Sequence, residues 1–130
     1  MKKHILLIEH SQQGYYDFMD ALHSIDMECK VTYTSDFKHA LQMLQYLNPD
    51  CIFMRMNVSG ENSIDSVKEI RHQIAENPTV LIVYDDEVTG SMIRRSITQG
   101  ADYCIDRPCT FADFNYLLKD IFKLNSGHSG

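Results

Sequence analysis

Short apolar runs and longer amphipathic stretches take turns along this chain. Ile5–Ile8, Cys29–Tyr33, Cys51–Met56, Thr79–Tyr84 and Tyr103–Ile105 are rich in β-branched, aromatic or aliphatic residues and predict five strands. Between them apolar residues recur at helical spacing: Phe18, Leu22 and Ile25; Phe37, Ala40, Leu41, Leu44 and Leu47; Ile64, Val67, Ile70 and Ile74; then Ile93 and Ile97. A fifth helix is expected from Thr110–Asp113, where Thr110 can cap the first amides and Asp113 can return the bond. It would turn Phe111, Phe114, Leu118, Ile121 and Phe122 toward the core. The first, third and fourth strands are almost wholly apolar, as central strands covered on both faces must be. Right-handed crossovers then give an α/β fold of three layers, a doubly wound parallel sheet. Gly100-Ala101 marks the stop of the fourth helix.

At 130 residues the chain is long enough for one domain with a single core, and its 44% hydrophobic content is ordinary globular usage. The domain is expected over 1–124. Residues 125–130, which lack an apolar anchor, read as a disordered tail or linker stub. A net charge of -6 argues against direct nucleic-acid binding. Cys29, Cys51, Cys104 and Cys109 have no C-x-x-C spacing, so reduced thiols are expected rather than a zinc site or a disulfide framework. Only four consecutive apolar residues precede Glu9, too few for a signal peptide or a membrane span, and a cytoplasmic location is expected.

One residue breaks the pattern. Arg55 interrupts the apolar run Cys51–Met56 just before Asn57–Gly60 ends the strand. In an open parallel sheet the carboxyl ends of the central strands line the crevice where ligands bind. The group placed there largely decides what the crevice can do, and here it is a permanent cation.

Other strand ends carry a pattern of their own. Glu9 and His10 follow the first strand, Asn48–Asp50 leads into the third, and Gly100-Ala101-Asp102-Tyr103 leads into the fifth, which closes with Asp106-Arg107-Pro108. Over residues 2 to 124 this layout resembles the receiver domain of two-component response regulators. The resemblance implies the strand order 2-1-3-4-5 of the flavodoxin-like, CheY-like folds and a cis peptide at Pro108. In that family an acidic pair after strand 1 and a phosphorylated aspartate ending strand 3 hold magnesium. A hydroxyl ending strand 4 and a lysine before the proline contact the phosphoryl group. Carried onto this chain, the acidic pair falls on Glu9 and His10, the phosphoacceptor on Arg55 and the lysine on Arg107. The hydroxyl falls among Val83, Tyr84 and Asp85, with neither Ser nor Thr present and the register open.

Glu9, neutral His10 and Arg55 sum to about zero charge. A divalent ion about 4 Å from Arg55 would be repelled by roughly 8 kcal/mol at an effective dielectric near 20. Magnesium binding and aspartyl phosphorylation are therefore expected to be absent, and no catalytic residue is assigned. Asp50 is no substitute, since it lies about 16 Å back along the same strand at 3.3 Å per residue. Arg55 and Arg107 are expected to pair with Glu9 and one of Asp85 or Asp86, although Asp85-Asp86-Glu87 also reads as a solvated acidic loop.

Three other functions compete for these residues. A transition-metal site from His10, Glu9, Asp85 and Cys109 would have Arg55 in its midst. A flavodoxin-like cofactor protein would need a phosphate loop that Glu9–Gly14 does not supply, although Tyr15 and Tyr16 could stack a ring. A receiver with unusual regulated phosphorylation or ligand binding is the nearer rival. The resemblance implies a non-enzymatic signalling module whose partner is a signalling protein or an attached output domain. A homodimer through helix 4, strand 5 and helix 5 would use Arg94, Arg95, Tyr103, Asp106, Lys119 and Asp120 in reciprocal pairs. The scattered methionines read as adaptable core filler.

Overall fold

The computed structural model describes residues 2–25, 28–56, 63–106 and 111–126, with backbone alone at 63–64, 111–114 and 123–126. Strands β1 (Lys3–Ile8), β2 (Cys29–Thr34), β3 (Cys51–Arg55), β4 (Val80–Asp85) and β5 (Tyr103–Asp106) alternate with helices. These are α1 (Gln12–His23), α2 (Phe37–Met43), α3 (Ser63–Gln73), α4 (Gly90–Thr98) and α5 (Phe111–Ser126). All strand pairs are parallel and the order is β2-β1-β3-β4-β5, the doubly wound arrangement expected.

The period of two along each strand sorts the core into two layers. Leu6, Ile8, Ile52, Met54, Leu81 and Val83 face the side closed by Ala40, Met43, Val67, Ile70 and Ile74. Ile5, Leu7, Cys51, Phe53, Ile82 and Tyr84 face the other side, where Leu22, Leu118, Ile121 and Phe122 cover them. Phe53 meets Phe18 edge-on at a centroid distance of 5.1 Å, a favoured aromatic geometry. Arg55 falls on the parity of Phe53, so the cation belongs to the same face as Tyr84.

Strand ends differ from expectation by one or two residues, and four departures stand out. β4 is shifted by one residue, because Thr79 is occupied at its entry, donating its hydroxyl to the Pro49 carbonyl at 2.8 Å. The shift brings Asp85 into the strand. Regular α2 stops at Met43, although Leu47 N still donates to the Met43 carbonyl at 2.8 Å before Pro49 forces the chain to extend. α5 continues through Ser126, so two of the residues expected in the tail are helical. Lastly, α4 turns Ile93 and Ile97 outward, 40% and 44% exposed, and buries Ser96 in their place.

Candidate functional site

The carboxyl ends of β1, β3 and β4 meet at one rim of the sheet, and Arg55 is the hub there. Its side chain is only 7% exposed. Nη1 lies 3.5 Å from Oε2 of Glu9, and Nη2 lies 2.9 Å from Oδ2 of Asp86 and 3.7 Å from Oδ1 of Asp85. Burial works against the charged guanidinium. Glu9, then Asp86 and Asp85, outweigh it and hold the pKa of Arg55 above its ordinary value. The expected ion cluster therefore exists among the described residues, with both Asp85 and Asp86 in it. Arg107, its other expected member, lies outside the described residues, as do Pro108, Cys109 and Thr110.

Glu9 is fully buried, and local structure explains how a carboxylate tolerates this. Its backbone N–H continues the sheet by donating to the Thr34 carbonyl at 3.1 Å. Its carboxylate accepts from Tyr84 Oη at 2.6 Å on Oε1 and from Ser11 N at 3.0 Å on Oε2, beside the Arg55 contact. Donors from three elements thus satisfy the charge, as burial of an ion requires. The first turn of α1 passes directly above. Ser11 caps that helix by accepting from Gly14 N at 2.8 Å, and a Cβ on Gly14 would collide with the Glu9 carboxylate. A glycine is needed at that position because the carboxylate occupies the space.

Tyr84 supplies the hydroxyl at the end of β4. Of Val83, Tyr84 and Asp85, it is Tyr84 that stands opposite Arg55 in the β3–β4 register. Val83 points into the other core layer. Tyr84 is itself 4% exposed and meets Phe53 edge-on at 6.3 Å. Beyond it, Asp86 N donates to Asp85 Oδ1 at 2.8 Å and Val88 N donates to Asp106 Oδ1 at 2.9 Å. The loop from β4 to α4 is therefore tied down at two points, to β3 through Arg55 and to β5 through Asp106.

The charge sum needs correcting. Three carboxylates against one guanidinium leave the described cluster at -2 rather than near zero. Repulsion by Arg55 is accordingly not the argument against a divalent ion here. Occupancy is: the oxygens that would ligate a metal converge on guanidinium, phenol and backbone N–H donors. Among the described residues no group of three His, Cys, Asp or Glu side chains is placed to hold a metal ion. These side chains, as arranged, do not fit magnesium.

The remaining predicted residues scatter. His10 is exposed beside Glu9 without joining the cluster. Asp50 sits at the opposite rim, where Oδ2 accepts from His4 N at 2.8 Å. Arg94 and Arg95 are exposed on α4, Asp106 is exposed at the end of β5, and Lys119 is exposed beside half-buried Asp120 on α5. Tyr103 is partly buried against the Phe53 layer. Cys29, Cys51 and Cys104 are free thiols, and burial pushes Cys51 well above its ordinary pKa. No helix among the described residues is long and apolar enough to cross a membrane. Two members of the site had weak signals in the sequence. Tyr84 is only one of three residues at the hydroxyl position, and Gly14 enters only as the end of a Glu9–Gly14 segment that supplies no phosphate loop.

Comparison with known proteins places this geometry in context. The family model for the response regulator receiver domain matches residues 5–119. A response regulator from Thermotoga maritima superposes with a TM-score of 0.81 at 20% identity, covering 95% of this chain and 99% of its own. The receiver domain of a sensor histidine kinase from Pseudomonas aeruginosa PAO1, solved with magnesium coordinated in its active site cleft, gives 0.76 at 19% identity, covering 95% and 99%. The signal receiver domain of a LuxO-type repressor protein from Vibrio parahaemolyticus gives 0.78 at 15% identity, covering 100% and 99%. No curated protein matches the sequence.

Proposed function

The chain belongs to the response regulator receiver domain family, and within it we propose a domain that signals without aspartyl phosphorylation, through contacts with other proteins. Receiver domains of two-component signalling are regulatory rather than enzymatic, and they act on signalling partners or attached output domains. The single observation that carries the proposal is the Arg55 guanidinium, which ends β3 where the family places its phosphoacceptor and is tied to Glu9, Asp85 and Asp86. A charged guanidinium offers no carboxylate oxygen to form an aspartyl phosphate, and here it fills the space a metal would need. The crevice is closed in the resting protein, with no covalent step to open it.

What remains available is surface. α4 exposes Ile93 and Ile97 beside Arg94 and Arg95, and Asp106, Lys119 and Asp120 lie on β5 and α5. Apolar anchors flanked by both signs of charge suit a self-complementary contact about a two-fold axis. The domain in this reading is an interaction and dimerisation module.

Amide NMR in the presence of magnesium and beryllofluoride, a phosphoryl mimic, tests the closed crevice. The resonances of residues 9, 55 and 84 are expected to stay in place. Saturable shifts clustered at those residues would overturn the reading and favour a receiver with unusual phosphoryl chemistry.

A further inference from the structure

The segments that lead into β3 and β4 are alike in sequence, Asn48-Pro49-Asp50 and Asn77-Pro78-Thr79. Cys51 stands opposite Val80, so counting back along both chains sets the two prolines side by side, and likewise the two asparagines. A cleft of about 540 Å³ opens there, at the rim of the sheet opposite Arg55, and Ile121 and Phe122 of α5 complete its lining. That size suits a small molecule. Pro49, Pro78, Val80, Ile121 and Phe122 give the cleft its apolar part. Lys3 Nζ lies 5.4 Å from the centroid of the Phe122 ring, a cation–π contact that helps to fix the ring.

Polar groups of the lining are partly committed. Thr79 donates its hydroxyl to the Pro49 carbonyl at 2.8 Å, and Asp50 Oδ2 accepts from His4 N at 2.8 Å. The asparagine amides are different. Asn77 Nδ2 donates to Asn48 Oδ1 at 3.2 Å, and among the described residues neither side chain makes another hydrogen bond. A donor on Asn48 Nδ2 and an acceptor on Asn77 Oδ1 are thereby left as neighbours at the mouth of the cleft. They match an amide whose own C=O and N–H lie on one side. A trans peptide unit points these groups in opposite directions, so an extended peptide does not satisfy both at once. An amide closed in a small ring is held cis and does. Asp50 is the one charged side chain of the lining, which disfavours an anion.

We propose that this cleft binds a small neutral cyclic amide, whose C=O accepts from Asn48 Nδ2, whose N–H donates to Asn77 Oδ1, and whose body packs against Val80 and Phe122. Nucleobases and cyclic dipeptides share that chemistry. Such a ligand would bridge β3, β4 and α5 at the far rim from the crevice, so binding there requires nothing of Arg55 or of phosphoryl chemistry.

Amide NMR that records side-chain NH2 groups tests the site, with thymine and cyclo(leucylglycine) titrated separately to distinguish the two sources. Saturable shifts at the Asn48 and Asn77 side chains are expected with at least one of them, at a Kd of about 1 mM, the range for so small a ligand. Asn77→Ala, a change at an exposed side chain, should weaken binding roughly tenfold, the scale of one hydrogen bond, and leave the rest of the spectrum in place. Fully N-methylated forms of both probes, and open-chain N-acetylleucine methylamide with its trans amides, should cause no shift. Absence of saturable shifts at Asn48 and Asn77 with both probes overturns the proposal. So does binding that survives N-methylation or Asn77→Ala at full strength, because it would report an apolar cleft without amide recognition.

Discussion

Arg55 makes two kinds of ion pair, and they differ in worth. The contact to Asp86 is shorter, but Asp86 is 60% exposed, and water and salt screen such a pair to about 1 kcal/mol or less. The longer contact to Glu9 joins a side chain 7% exposed to one fully buried, where losing a partner leaves an uncompensated charge. The inner pair governs stability and the outer pair governs the loop. Replacing Arg55 by Ala is therefore expected to destabilise the domain by about 3 kcal/mol, the scale for breaking a buried pair. It would also leave Glu9, Asp85 and Asp86 facing a vacated space. Thermal melts with and without magnesium check both points: the variant should gain stability from the ion while the parent protein does not. A variant as indifferent to magnesium as its parent would show that occupancy by the guanidinium is not what keeps the metal out.

At the scale of elements, α1 and β1 are joined by a void that only glycine can leave. Gly14 is buried in the first turn of α1, and the carboxylate beneath it cannot swing aside without surrendering its bonds from Ser11 N and Tyr84 Oη. Gly14→Ala should cost about 1–3 kcal/mol by overpacking, even though alanine favours helix, and urea denaturation will read it as a lower midpoint. If the midpoint rises instead, helix propensity has won and the contact is softer than described. Much at this scale was legible in the sequence. Nearly all-apolar runs pointed to central places for β1, β3 and β4, and Arg55 near the end of the third run pointed to the crevice at the carboxyl rim. The rest was hidden for physical reasons. Tyr84 is apolar over most of its surface, and its one polar atom reveals its partner only in three dimensions. The Ile93–Ile97 spacing marks an apolar stripe, but a stripe does not say whether the helix turns it inward. Ser96 lies inward instead, and no rule of patterning would place it there.

For the whole molecule, the proposed function without a covalent switch makes association the route to an output. The family resemblance pointed to the face of α4, β5 and α5 from its mixed charges, and the structure adds Ile93 and Ile97 as exposed anchors on α4. If that face pairs two copies, sedimentation equilibrium at micromolar concentration should give a dimer, and charge reversal at Arg94 and Arg95 together should shift it toward monomer. A monomer throughout the high micromolar range would remove self-association and leave a different partner for the surface. A net charge of -6 adds a like-charge repulsion between copies, which physiological salt screens beyond a Debye length of about 8 Å.

The Arg55 cluster also says something about how the chain reaches its native state. Its contacts join residues 46 and 31 positions apart, on strands that no hairpin links. Such partners meet only after the intervening loops have closed and β1, β3 and β4 have come into register. Until then the guanidinium stays hydrated at the end of an otherwise apolar strand, and that charge discourages β3 from pairing with a copy of itself on another chain. A residue that closes the crevice in the finished domain is thus also a gatekeeper against aggregation while the domain is being made.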